Sequence, residues 1–415
     1  LHYPLRRQRQ MCIRDRYSVA EEKRGEYREK MNEFDASKVG LLQEFEGMTA
    51  KELAARSGIS ERRLGAIKNG SSEFHEEDVE AICCTTGFPK TFFLIKEAAI
   101  PATALTFRKP SRMRARDIKK VSVEFSMLES TATRLMDMCG VSDRSNWVDA
   151  VAPYDTPDGD DIERIAVETR AYLGIPDSGP VGNVMWAFEK GGFTIATLET
   201  SCEEMEGSAE GISHPSGMTR PIVAYTKKRR SGDGIRFTIA HEAGHLILQR
   251  KRMPATKKMR EEEAHRFAGA FLLPLKDAKT VLNPKMELRD FVEIKAGWGI
   301  AISALITRAA RMGIIDRERQ RSLMMQMSAR HWRKNEPVDV PAEQPVLFRQ
   351  MLGSNFGEII SPTEVSVSPT AVSEFLGRPF TLIDTWAGGL QTQEEMNIFS
   401  LGTTESDPDT RDRMT

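Results

Sequence analysis

The pentapeptide His241-Glu242-Ala243-Gly244-His245 sits inside the apolar run Phe237 to Leu248. On a helix, residues four apart share a face, one turn above another. Two neutral imidazoles at that spacing reach one metal ion, and the glutamate between them can move a proton on and off a nearby water. The chain holds seven histidines in 415 residues, and two of them fall in this motif. The expected use is a catalytic Zn2+ site, with His241 and His245 as ligands and Glu242 as general base. Such a site takes a third protein ligand and keeps a fourth position open. The acidic helix start Glu261-Glu262-Glu263 is the obvious donor. Composition does not choose among the three, because acidic residues in a first helical turn ordinarily answer the helix dipole.

Composition bounds the rest. A chain that is 40% hydrophobic and 29% charged is soluble and globular, with room for two or three cores. No apolar run has the length of a bilayer span, and no signal-peptide core follows the basic start. Five cysteines (Cys12, Cys83, Cys84, Cys139, Cys202) form no C-x-x-C pair, which argues against disulfides or a thiolate zinc site and for the cytoplasm. A net charge of −1 rules out a wholly basic nucleic-acid binder, so any DNA contact needs a local patch.

The elements that must position the motif follow from periodicity and punctuation. Residues 1–30 read as a non-native or disordered start, the first sixteen showing neither periodicity nor turn logic. Residues 31–97 read as four to five short helices: 36–46, 50–57, 61–68 and 76–85. Thr49 and Glu52 form a capping-box pair, Gly58 suits a positive-φ turn, and Ser60 caps the next helix. Two short helices joined by a tight glycine turn form a helix-turn-helix, whose second helix presents Arg62, Arg63 and Lys68 to DNA. Residues 98–120 read as a basic linker and 121–180 as a helical connector. Within 181–345, strands at 193–198, 210–213 and 221–225 precede the motif helix. A polar turn at 229–234, the amphipathic helix 260–274 and further helices across 282–312 and 317–331 complete that unit. Residues 346–415 are left without an assignment, their polar end reading as disordered. The fold class is mainly α with a small β-sheet (α+β): an N-terminal helix-turn-helix domain and a zincin-like peptidase domain.

Two stretches resemble known families. MTAKELAARSGISERRLGAIKNG with EEDVEAICCTTGFPKTFF resembles the Cro/C1-type helix-turn-helix domains (XRE family), which commonly carry Gln where this chain has Ala50. RFTIAHEAGHLIL with EEEAHRFAGAFLLP resembles the ImmA/IrrE metallopeptidases, whose E-x-x-A-x-x-F-A helix follows the H-E-x-x-H. That likeness places the third ligand at Glu261 and puts His265 where it would orient a ligand imidazole. It implies a zinc endopeptidase cleaving a repressor or antitoxin-like regulator, often fused to a helix-turn-helix, as the later SARHWRKNEPVDVP also suggests. The expected partners are operator DNA, the protein substrate and a second copy in a homodimer, with no membrane. The competing expectation is a transcriptional regulator or antitoxin whose metal is structural or sensory.

Overall fold

Local signals set the N-terminal helices. The computed structural model describes residues 33–97, 100–107, 114–140, 144–198, 211–215, 220–226, 231–333 and 335–392. The expected non-native start, Arg108, Lys109 and Arg112 of the basic linker, and the polar end beyond 392 lie outside the described residues. Helices α1 (Ser37–Glu46), α2 (Ala50–Ser57), α3 (Glu61–Lys68) and α4 (Glu76–Thr86) follow the sequence reading within a residue or so. Thr49 and Glu52 form the reciprocal capping box, Gly58 turns at φ 74°, and the Ser60 hydroxyl accepts from the Arg63 amide. Val39, Leu42, Leu53, Leu64, Ile67 and Val79 are buried together above a cluster of Phe88, Phe92 and Phe93.

The expected linker carries structure at both ends. Thr106–Phe107 forms strand β1, and helix α5 (Ala115–Met138) begins inside the basic stretch. In its first turns the exposed Lys119 pairs with Glu44 of α1 at 2.8 Å. Beyond α5 come α6 (Asn146–Val151), α7 (Gly159–Tyr172) and α8 (Val184–Lys190). Strands β2 (Thr194–Thr197), β3 (Gly211–Ser213) and β4 (Ile222–Tyr225) join β1 in the order β1-β3-β4-β2. Within this sheet only β2 and β4 run parallel; β1 pairs antiparallel to β3 with Thr106 opposite Ser213.

Against this sheet lies α9 (Gly232–Leu248), with α10 (Lys257–Leu272) packed beside it. The polar turn expected at 229–234 is helical from Gly232. Tertiary contacts override the two glycines there: the Gly232 amide donates to Val340 O at 3.2 Å, and buried Lys295 holds Asp233 at 3.2 Å. Helices α11 (Leu275–Val281), α12 (Asp290–Trp298), α13 (Ile302–Arg311) and α14 (Arg317–Ala329) follow. The chain then straps back across the unit. Glu336 accepts from Lys295 and from the first amides of α13, while Glu343 pairs with Arg236 and accepts from Met185 N.

The stretch that the sequence left unassigned folds onto the rest. Helix α15 (Leu347–Phe356), strands β5 (Gly357–Ser361), β6 (Glu364–Val367) and β7 (Gln391–Thr392), and helices α16 (Pro369–Leu376) and α17 (Phe380–Ala387) bury Leu352, Val367, Ile383 and Trp386. Among the described residues this gives seventeen α-helices with two small sheets, and no helix is long and apolar enough to cross a membrane. A buried charge triad ties the two ends of the chain together. Glu97 accepts from Lys38 of α1 at 2.5 Å and from Arg378 between α16 and α17. Removing one partner strands the others in a medium that solvates them poorly. Glu97→Ala should therefore cost roughly 3–5 kcal/mol, read as a fall in the urea midpoint of the full chain.

Candidate metal centre

Helix α10 runs back along α9, and Gly244 sets how closely. A Cβ there would stand 3.0 Å from Phe267 Cδ1 and 3.2 Å from the Ala264 Cα, so the helices meet backbone to backbone. The far end of α10 is pinned by buried arginines. Arg170 donates to Phe271 O at 2.8 Å, and Arg308 donates to Leu273 O while pairing with Glu163. This geometry turns the first residues of α10 toward the two histidines.

The helix starts at Lys257, earlier than expected, so the three acidic residues lie in its second turn and not at its start; each takes a different partner. Glu262 pairs with Arg311 at 2.9 Å and Glu263 with Arg252 at 2.6 Å. Glu261 faces the histidines, with Oε2 at 3.5 Å from His241 Nε2 and Oε1 at 4.0 Å from His245 Nε2. The donor atoms of His241, His245 and Glu261 all lie within 4.8 Å of one another. Ligands about 2.1 Å from one tetrahedral ion stand roughly 3.4 Å apart, so slight side-chain adjustment closes this set on a cation. Two imidazoles and one carboxylate suit zinc or another first-row dication.

Two of the donors are held in the protonation state a metal needs. Burial pushes His245 down to about 3, which keeps it neutral. Burial would raise Glu261, but the neighbouring imidazoles, above all the hydrogen bond with His241, hold it down at about 2. Gln249 braces His245: its Oε1 lies 3.0 Å from Nδ1, and its Nε2 donates to Arg260 O at 3.2 Å. With the amide so oriented, Nδ1 carries the proton and Nε2 keeps its lone pair for a metal. His241 Nδ1 has no such brace and is buried without a hydrogen-bond partner.

Glu242 points from the other side of α9 into β3. The Ser213 hydroxyl donates to its Oε2 at 2.7 Å, and Thr106 Oγ1 lies 3.4 Å from the same oxygen. Gly211 leaves room for it, since a Cβ there would stand 2.4 Å from Glu242 Cγ. Burial drives this carboxyl up to about 7, against the lowering pull of His241 and Ser213. Glu242 thus lies near the pH where a general base works best.

A cleft of about 620 Å³ opens over these groups, lined by Gly211, Phe237, His241, Glu242, Glu261 and His265 among others. His265 turns its ring edge toward His241 at 6.0 Å and lies against Phe237. Tyr225 and His214, near the motif in sequence, do not line the cleft: Tyr225 is buried in β4 and His214 faces Glu129 at 3.4 Å. The three basic residues expected to meet DNA differ in their surroundings. Arg62 is exposed on α3. Arg63 makes a two-pronged bond to Asp78 at 2.7 and 2.6 Å, and Lys68 donates to Gln43 at 2.7 Å, so both already serve the packing of the helical unit. Sequence reasoning missed Ser213, Thr106, Gly211 and Gln249. Of these only Gln249 left a signal, one helical turn beyond His245.

Two outcomes follow. Gln249→Leu removes the brace on His245 and should weaken metal binding about 10- to 100-fold, measured by competition with a chromogenic chelator. In the metal-free protein, Glu242 is protonated more readily folded (about 7) than at its ordinary 4.5. Its contribution to stability is therefore full below the ordinary value and lost as pH rises through 7. Metal-free Glu242→Gln should match wild type near pH 4 and unfold at a higher temperature than wild type near pH 8. Equal melting temperatures at both values would contradict this.

Residues 192–309 match the family model described as the IrrE N-terminal-like domain, a peptidase family. The matched stretch runs from the turn before β2 into α13 and contains all three candidate ligands together with Glu242. A search of curated proteins gave no match. The match supports a metallopeptidase-type enzyme of the IrrE/ImmA kind across this part of the chain.

Proposed function

We propose that this protein is a zinc-dependent regulatory endopeptidase that carries its own DNA-binding unit. The observation that carries this reading is the convergence of His241, His245 and Glu261 beside a buried Glu242, with His241, Glu242 and Glu261 lining one cleft. His241, His245 and Glu261 would hold the metal, which when bound supplies Lewis acidity toward a carbonyl and toward water. Glu242 takes the proton from the attacking water and returns it to the leaving amine. Ser213 fixes its Oε2, which leaves Oε1 for the transfer. A structural or sensory metal site has no use for a carboxylate kept in the interior at a desolvation cost, so that buried carboxylate favours hydrolysis.

The helical pair α2 and α3, with its tight turn at Gly58, supports a DNA-binding role for the N-terminal unit. Arg62 is the side chain best placed to contact DNA, and a homodimer would match a two-fold operator. Joined to a peptidase, such a unit fits a cytoplasmic regulator whose substrate is a repressor or antitoxin-like protein.

Elemental analysis of protein purified without added zinc tests the site. Wild type and Glu242→Gln should each hold about one zinc per chain, and His245→Ala and Glu261→Ala should lose it. Zinc-loaded wild type, but not Glu242→Gln, should then create new N-termini in an extract of a bacterial proteome. A wild type that takes up no metal from excess zinc would end the peptidase reading.

A further inference from the structure

We propose that Thr106, on the strand between the N-terminal helices and α5, is a positioning residue for Glu242, acting through Ser213. The inference rests on the reading of Glu242 as the general base. Strand β1 is the outermost strand of its sheet, and main-chain pairing with β3 makes no demand on the side chain opposite Ser213. Yet Thr106 is buried, and its hydroxyl stands 2.5 Å from Ser213 Oγ, 2.9 Å from Ser213 O and 3.4 Å from Glu242 Oε2.

Counting protons orders these contacts. A hydroxyl has one proton to give, and Ser213 gives its own to Glu242 Oε2 at 2.7 Å. Thr106 also has one proton, and Ser213 Oγ at 2.5 Å is nearer to it than Ser213 O at 2.9 Å. With the Ser213 proton committed to Glu242, Thr106 is the donor in the shorter contact. The result is a directed chain, Thr106 to Ser213 to Glu242, in which each bond polarises the next. Valine has the shape of threonine, and a hydroxyl buried without use costs stability. Valine would fill the same space, so what threonine adds here is a hydroxyl committed to Ser213, at its Oγ and at its O. The strand that carries Thr106 arrives directly from the N-terminal helical unit, so its seating in the sheet reaches the Glu242 carboxylate.

The test uses full-length, zinc-loaded protein and acetohydroxamate, a small chelator that ligates zinc and gives its proton to a neighbouring carboxylate. Its affinity is measured by calorimetry, with zinc content and melting temperature recorded for each variant. Thr106→Val should keep its zinc and bind acetohydroxamate about tenfold more weakly, the scale of one lost buried hydrogen bond, because the carboxylate is no longer held where it receives the proton. Tighter binding, the sign expected if the hydroxyl only stabilised the carboxylate charge, overturns the proposal. Thr106→Ser, which restores the hydroxyl, should stay within about twofold of wild type. The proposal is overturned if Thr106→Val binds as wild type does, if Thr106→Ser is as weak as Thr106→Val, or if Thr106→Val loses its zinc. Zinc-loaded wild type that fails to bind acetohydroxamate would instead overturn the reading of Glu242 and the cleft as a peptidase site.

Discussion

The centre depends on how closely α9 and α10 approach. With Gly244 against the backbone of Ala264 and the ring of Phe267, the two helices lie nearer than any larger side chain would allow. At that distance Glu261 falls between the imidazoles of His241 and His245, and its neighbours Glu262 and Glu263 turn away to arginines. Small residues in the facing stripe, Ala264 and Ala268, are fully buried and keep the approach open. Arg170 and Arg308 then fix α10 along its length by holding carbonyls at its far end. Close packing thus converts a helix-spacing pattern into a three-dimensional donor set.

Desolvation shapes what that set can do. A carboxylate and two imidazoles in a partly dry cleft would repel protons or shed charge if left alone. Here the requirements are divided. Burial keeps His245 neutral, the histidines hold Glu261 ionised, and the interior keeps Glu242 near neutrality between its two forms. The cleft thus carries two carboxyl groups with opposite proton affinities, one from each helix. The difference comes from what stands beside each group: histidines around Glu261, and a sheet edge with two hydroxyls around Glu242.

The rest of the chain supports this arrangement over long range. The strap after α14 locks the start of α9 through Val340 and Glu343, and Glu336 joins buried Lys295 to the start of α13. At the other end, the triad of Lys38, Glu97 and Arg378 joins the N-terminal helices to the C-terminal layer. Buried ion pairs of this kind add little net stability, but they are intolerant of misplacement and so fix one arrangement of the units. Together with β1, they make the N-terminal unit part of the framework around the cleft.

The sequence was informative wherever the signal was local. Helix ends were legible from Thr49, Gly58 and Ser60, because capping and positive-φ turns act over three or four residues. The pairing of His241 with His245 was legible for the same reason, as was the α+β class. Other features were hidden. Strand β1 is two residues long and meets its partner only through the fold, and the glycine-rich start of α9 is helical because Val340 and Lys295 hold it there. Likewise, the bonds from Arg63 to Asp78 and from Lys68 to Gln43 join different helices and left no local signal. The sequence by itself determined the chemistry available: two histidines and a glutamate on one helix, with acidic residues waiting on the next. The family likeness pointed to Glu261 among these; only the tertiary structure decided where its acidic neighbours turn and which hydroxyls hold the base, because those contacts join residues far apart in the chain that only packing can bring together.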